Sequence, residues 1–123
     1  MQAVQTVFPA LRITDYERSR SFYVDGLGFT IDWEHRFGPD FPVFMQLSRE
    51  GQSFYLSQHA GDCQPGGLAY FYVPDVGAWY AQMQERGVVV DEPPQDQEWG
   101  NREMQLHDPD GNTLRLCTRL LHE

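Results

Sequence analysis

His107, Asp108 and Asp110 cluster in LHDPDGN, where an imidazole and two carboxylates stand close enough in sequence to bind a metal or move a proton. The same residues have a plainer reading. Asp-Pro and Asp-Gly are turn dipeptides whose carboxylates bond the backbone just ahead of them, so the turn itself accounts for both aspartates. His59 falls where a strand gives way to a loop, near Asp62 and Cys63, in no spacing that a metal uses. His35 and His122 have no partner in the local sequence. Cys117 lies in the alternating run LRLCTRL, facing either the core or a groove, and reads as an inert structural thiol. The chain has no G-x-S-x-G elbow, no glycine-rich phosphate loop and no H-E-x-x-H. Without a metal or a paired base and nucleophile, catalysis lacks its reagents. The sequence therefore reads as a binding protein with no catalytic residues, no metal and no cofactor.

Rings are what it has in excess. Trp99 follows the acidic, proline-rich stretch DEPPQDQE and precedes Gly100, a poor setting for a core residue and a good one for a flat indole held at a loop edge. Such a ring suits stacking on a flat heteroaromatic ligand, worth about 1 kcal/mol beyond area burial. The segment IDWEHRFGPDFPVF (31–44) carries Trp33, Phe37, Phe41 and Phe44 among Asp32, Glu34 and Asp40. Phe44 belongs to an alternating strand and is expected to pack on the sheet. Phe37 and Phe41 flank Gly38-Pro39 in a loop, where exposed rings need another explanation.

Positioning these groups falls to 123 residues, one domain's worth of chain, 41% hydrophobic and 22% charged. The 14% aromatic share exceeds what a small core needs. A formal charge of -9 repels phosphate backbones and argues against nucleic acid. That charge would attract a cationic small molecule, or serve solubility alone. No run of about 18 apolar residues offers a membrane span. The opening MQAVQTVFPA lacks a basic run followed by an apolar segment, so no signal peptide is expected. Cys63 and Cys117 are expected as two reduced thiols in a cytoplasmic protein.

Along the chain runs a weak internal repeat. LRITD (11–15) and FYVPD (71–75) are alternating strands ending in Asp15 and Asp75, each at a helix N-cap position. Ser19, Phe22 and Tyr23 follow the first at helical spacing; Val76, Trp79, Tyr80 and Met83 follow the second at i, i+3, i+4 and i+7. Gly26 and Gly28 close one helix and Gly87 the other. Strands are then expected in FTIDW and VVVDE. Two hairpins follow, FPVFMQL to SFYLSQH through REGQ, and NREMQLH to NTLRLCTRL through DPDG. DEPPQDQE is expected to be a loop, being too rich in proline for a central strand. The sequence thus predicts a single α+β domain over 1–123 with two βαβββ modules, at 6–60 and 67–119, connected by GDCQPGG (61–67).

A βαβββ module occurring twice, with an aspartate after each first strand and DPDGN before the last, resembles the vicinal oxygen chelate superfamily of glyoxalases, extradiol dioxygenases and bleomycin resistance proteins. The resemblance spans roughly residues 6–119. EWGNREMQLHDPDGNTLRL and ITDYERSRSFYVDGLGF look most like the bleomycin resistance proteins. Metal-dependent members place His, Gln or Glu at four inward strand positions, which the resemblance carries onto Phe8, Tyr55, Leu68 and Arg115. Phenylalanine and leucine have no donor atom and arginine brings a positive charge, so the resemblance implies a member without the chelate site.

It also implies the glyoxalase/bleomycin resistance fold as a homodimer, with two equivalent grooves between subunits in which rings sandwich the drug's bithiazole. Trp99, beside Gly100, would be one wall. Phe37 or Phe41 of the other subunit would be the opposing ring, with Trp33 nearby. Asp32, Glu34 and Asp40 would face the drug's cationic tail, and Tyr55 and Arg115 would line the former metal position. The function implied is resistance by sequestering bleomycin or a related glycopeptide, intact or as its copper complex, without chemical change. Two rivals stand beside it: a lyase, isomerase or dioxygenase with a displaced metal, and a binder of another planar cationic metabolite.

Overall fold

The computed structural model describes residues 5–120, and its elements repeat in order. The first half runs β1 (Ala10–Arg12), α1 (Tyr16–Arg20), β2 (Thr30–His35), β3 (Phe44–Arg49) and β4 (Gln52–Ser57). The second runs β5 (Leu68–Tyr72), α2 (Val76–Glu85), β6 (Glu92–Asp96), β7 (Asn101–His107) and β8 (Thr113–Arg119). The sheets are ordered β1-β4-β3-β2 and β5-β8-β7-β6, so each half is a βαβββ unit with one parallel pair at its edge.

Local chemistry sets the element ends. Asp15 and Asp75 are both extended N-caps, their side chains accepting from the Arg18 and Ala78 amides. α1 runs directly into a π-helical stretch, Ser21–Gly26. The β3–β4 turn places Glu50 and Gly51 both at positive φ, 51° and 81°, the mirror-image turn that suits strand twist.

One element departs from the sequence reading. The expected strand VVVDE is absent at Val88–Val90, and the strand forms further on, within the proline-rich stretch expected to be a loop. β6 is an edge strand, and its pairing with β7 slips between Glu92 and Gln95. Pro93 and Pro94, which have no N–H to give a ladder, sit inside that slip, a place prolines tolerate.

The core lies between the helices and one face of each sheet. Tyr23, Leu27, Phe54, Trp79, Met83 and Leu106 are fully or almost fully buried there. Rings join the two halves: Phe54 meets Phe71 at 5.1 Å and Phe29 meets Trp79 at 5.7 Å between centroids. Burying side chains of this size stabilises by ~1.5–3 kcal/mol each. No helix of the described residues is long and apolar enough to cross a membrane. Strand alternation leaves the opposite face of each sheet for the groups that matter to function.

Candidate functional site

β7 and β8 are inner strands, yet each is apolar on one face only. Met104, Leu106, Leu114 and Leu116 enter the core, so Asn101, Glu103, Gln105, Arg115 and Cys117 share the other face. Register places Arg115 between Tyr70 and Gln105, and Cys117 between Tyr72 and Glu103. A cavity of about 230 Å³ opens on this face, lined by Trp99, Glu103, Gln105 and Arg115 with Glu92, Gln95 and their neighbours on β6.

Trp99 is the flat wall of that cavity. It is 65% exposed, although its indole N–H donates to Glu103 Oε2 at 2.8 Å. The edge of the ring is therefore tied down while its faces stay open. The tether is itself held: Asn101 Nδ2 donates to the same oxygen at 2.9 Å and to the Tyr72 hydroxyl at 2.9 Å. Glu103 is 8% exposed. A carboxylate at that depth requires donors, and these supply them. Gly100, at φ 94°, makes the turn that returns the chain into β7, its amide donating to Gln97. Cys117 is fully buried beneath this network. Burial first, and then the charge and hydrogen bond of Glu103, push its thiol up to about 12, which removes the thiolate a nucleophile needs.

Sheet one presents a different surface. Phe8 stacks on Tyr55 at 5.3 Å with an interplanar angle of 18°, Tyr55 meets Phe44 at 4.9 Å, and Trp33 meets Phe44 at 5.6 Å. Phe8 and Tyr55, two of the four positions onto which the resemblance carries metal ligands, are thus joined as a stacked pair. Leu68 is half exposed at the start of β5, and Arg115 lies on the other sheet. Among the described residues no three His, Cys, Asp or Glu side chains come together in a way that holds a metal ion.

The His107 cluster separates in space. His107 Nδ1 bonds Asp91. Asp110 turns to the Thr14 amide and to Arg18. Asp108 is buried, accepting from the Tyr23 hydroxyl at 2.7 Å, from Asn112 Nδ2 at 2.8 Å, and from the amides of Asp110 and Asn112. Burial first, and then the Asp108 charge and hydrogen bond, push the Tyr23 hydroxyl well above its ordinary range.

The remaining sequence candidates fall into separate groups. Phe37 is 72% exposed, meeting His35 edge-on at 4.6 Å beside His59. Phe41 is 54% exposed, its ring resting on Gly38. Trp33 is 41% exposed on the aromatic face. Asp32 accepts from Gln46 at 2.9 Å and Ser48 at 2.8 Å on that same face, and Asp40 is exposed in the loop. Glu34 is a correction. It points to the helix side, accepting from the Tyr16 hydroxyl and pairing with Arg36 at 3.8 Å, because register sets it opposite the buried Met45. Within one chain, and among the described residues, no ring pairs with Trp99, and Phe37 and Trp99 line separate cavities.

Sequence reasoning missed Glu103, Asn101, Tyr72, Tyr70 and Gln105. A signal was present: NREMQLH puts Asn, Glu, Gln and His at alternate positions of a strand with neighbours on both sides. That alternation leaves one face of an inner strand open to solvent, where a ligand can reach it.

A family model described as glyoxalase superfamily protein matches residues 2–123. An uncharacterised protein of Bacillus subtilis strain 168, YraH, is 30% identical, covering 89% of this chain and 94% of its own. The bleomycin resistance determinant encoded on transposon Tn5 superposes with a TM-score of 0.78 at 26% identity, over 96% of this chain and 100% of that one. TnmS3, an antibiotic-binding protein from Streptomyces sp. CB03234, superposes with a TM-score of 0.74 at 27% identity, over 97% and 99%. Paired βαβββ units, the DPDGN turn and a match along almost the entire sequence agree: this chain belongs to the glyoxalase superfamily and has the glyoxalase/bleomycin resistance fold.

Proposed function

We propose that this protein binds a bleomycin-type antibiotic and confers resistance by sequestering it, with no bond made or broken. The observation that carries this reading is Trp99, an open-faced indole tethered by the buried Glu103 at the rim of a cavity. An indole fixed in orientation before binding loses little freedom when a flat ligand lands on it, so more of the stacking free energy appears as affinity. Similarity to a bleomycin resistance determinant and to an antibiotic-binding protein supports the same class of ligand. The net charge of -9 favours approach of a cationic drug.

The drug sits between two copies of the chain. One cavity of about 230 Å³ is small beside the ~300–1,000 Å³ typical of drug-sized ligands, so a second surface must complete it. Leu68, Tyr70 and Tyr72 lie exposed at alternate positions of edge strand β5, an apolar row suited to burial against a partner. The opposing ring comes from the other copy, supplied by Phe37 or Phe41, both exposed.

Titrating bleomycin while following tryptophan fluorescence tests the reading, with Trp99→Ala alongside. Saturable quenching near one drug per subunit, weakened about tenfold or more in the variant, is expected of two well-stacked rings. An unchanged wild-type signal removes bleomycin as the ligand and turns the search to other flat molecules. Equal quenching in both proteins removes Trp99 as the wall.

A further inference from the structure

Arg115 lines the Trp99 cavity, and both of its side-chain partners among the described residues are uncharged. Nε donates to Gln105 Oε1 at 2.9 Å, and Nη1 donates to the Tyr70 hydroxyl, with the guanidinium 5.3 Å from that ring's centre. Among the described residues no carboxylate forms an ion pair with it. A guanidinium has five N–H donors. Two are engaged, which leaves three, on a side chain that is only partly exposed.

An arginine held this way has donors left to offer an acceptor in the cavity. Of the two carboxylates lining the cavity, Glu103 is committed through Oε2 to Trp99 and Asn101, and Glu92 stands exposed on the edge strand. We propose that Arg115 is an oxyanion subsite, so that among the flat aromatic ligands stacking in this cavity one bearing an acidic oxygen, a carboxylate or phenolate, is held tightest. The ring stacks on Trp99 while the acid meets the free guanidinium edge. The inference rests on the stacking role given to Trp99 above. It goes further in favouring an acid on the ligand, which the chain's overall charge alone would disfavour.

Distance decides between the two charges. The -9 is spread over the surface and acts across solvent that screens beyond about 8 Å at physiological salt. Arg115 acts at contact, through a planar fork that matches two acid oxygens at once.

Equilibrium dialysis with anthraquinone-2-carboxylate and its neutral 2-carboxamide tests the proposal, because the two share a ring system and differ in the acid. Wild type is expected to hold the carboxylate about tenfold tighter, the usual worth of a charge-assisted hydrogen bond. In Arg115→Gln the carboxylate falls to within about twofold of the amide. Arg115→Lys keeps the charge and loses the fork, so it retains a preference of a few-fold and covers the case in which Arg115→Gln fails to fold. Trp99→Ala weakens both probes together and keeps their ratio. A wild type that holds the amide as tightly as the acid overturns the subsite while leaving Trp99 stacking intact, as does a preference that survives Arg115→Gln. Binding of neither probe overturns the subsite too, and bleomycin quenching then decides the stacking role separately.

Discussion

Asn112→Ala should cost this protein a large part of its stability, although Asn112 does not line the Trp99 cavity. Its side chain is fully buried and makes four hydrogen bonds. Oδ1 accepts from the Gly66 and Gly67 amides at 3.0 and 2.9 Å, and Nδ2 donates to the Arg12 carbonyl and to Asp108 Oδ2, both at 2.8 Å. The first two hold the end of the connector between the halves, the third reaches β1 of the first half, and the fourth braces the DPDGN turn of the second. Alanine removes all four and strands two amides, a carbonyl and part of a carboxylate. Each net bond is worth about 1 kcal/mol, and an unsatisfied buried group costs about 1–3 kcal/mol. Water can reach the connector glycines, so the loss is about 3–5 kcal/mol, against ~5–15 kcal/mol for a whole domain.

The assay is urea unfolding followed by far-UV circular dichroism. With an m-value near 2 kcal/mol/M, a loss of 4 kcal/mol lowers the midpoint by about 2 M. Asn112→Asp sharpens the test. Aspartate keeps the acceptor for both glycine amides but replaces the amide donor with a second carboxylate facing Asp108. At pH 7 it should be less stable than the alanine variant, since two buried like charges meet where a bond was. Acid should reverse that order, because one of the facing carboxylates then carries a proton to donate. A midpoint change below about 0.5 M for alanine, or an aspartate variant that is the milder one at neutral pH, would refute the idea that this amide locks the halves together.

Two further predictions concern the site. Glu103→Gln replaces the charged acceptor of the Trp99 indole by a neutral one, so bleomycin affinity should fall several-fold, and in a Trp99→Ala background the same change should have almost no effect. Additive losses in that double-mutant cycle would mean that Glu103 does not act through the ring. Stability should decline with alkali, because the thiol of Cys117 is raised to about 12 in the folded chain from an ordinary value near 9 and the Tyr23 hydroxyl is raised as well. Both groups are neutral when protonated, so the folded state holds protons that the unfolded chain releases. Their stabilisation is complete below the unfolded values and is lost as pH rises from about 9 towards 12. Cys117→Ala should flatten the part of that slope nearest pH 9, and unfolding midpoints between pH 8 and 11 will show whether it does.

What the sequence disclosed, and what it withheld, follows the range of the forces involved. Asp15, Asp75, Gly28, Gly87 and the Glu50-Gly51 turn act on backbone within a few residues, and each was readable from its own neighbourhood. The tie between Asn112 and Arg12 joins residues 100 apart, so DPDGN read as only a turn. Glu34 was misplaced because a register shift lies between Ile31 and Trp33 on β2, and one inserted residue exchanges the faces of everything after it. The strand at Glu92–Asp96 hid behind two prolines, since its edge position and its slip against β7 are tertiary facts. Trp99 stood out by its setting. Its tether did not, because only the tight turn at Gly100 brings Glu103 back under the indole.

Arg115 is the position onto which the resemblance carries a metal-binding carboxylate, and it lines the cavity proposed to take the ligand. In a metal-dependent relative this position supplies a carboxylate to a cation, and the cation supplies the pull on a ligand oxygen. Here the residue itself is the cation, placed by the β7–β8 register beside Gln105 and lining the same cavity as Trp99. A guanidinium cannot act as a Lewis acid with open coordination positions, yet it can hold an anionic oxygen through two parallel bonds. An arginine at this position would thus grip an oxygen without activating it. Long-range attraction by the acidic surface and short-range grip by Arg115 then select different ends of one molecule. The surface gathers a cationic tail, Arg115 takes an acidic oxygen, and the ring between them lies on Trp99. A ligand with both ends charged should therefore bind more tightly than either singly charged analogue, and raising salt should erode the tail's contribution well before the acid's.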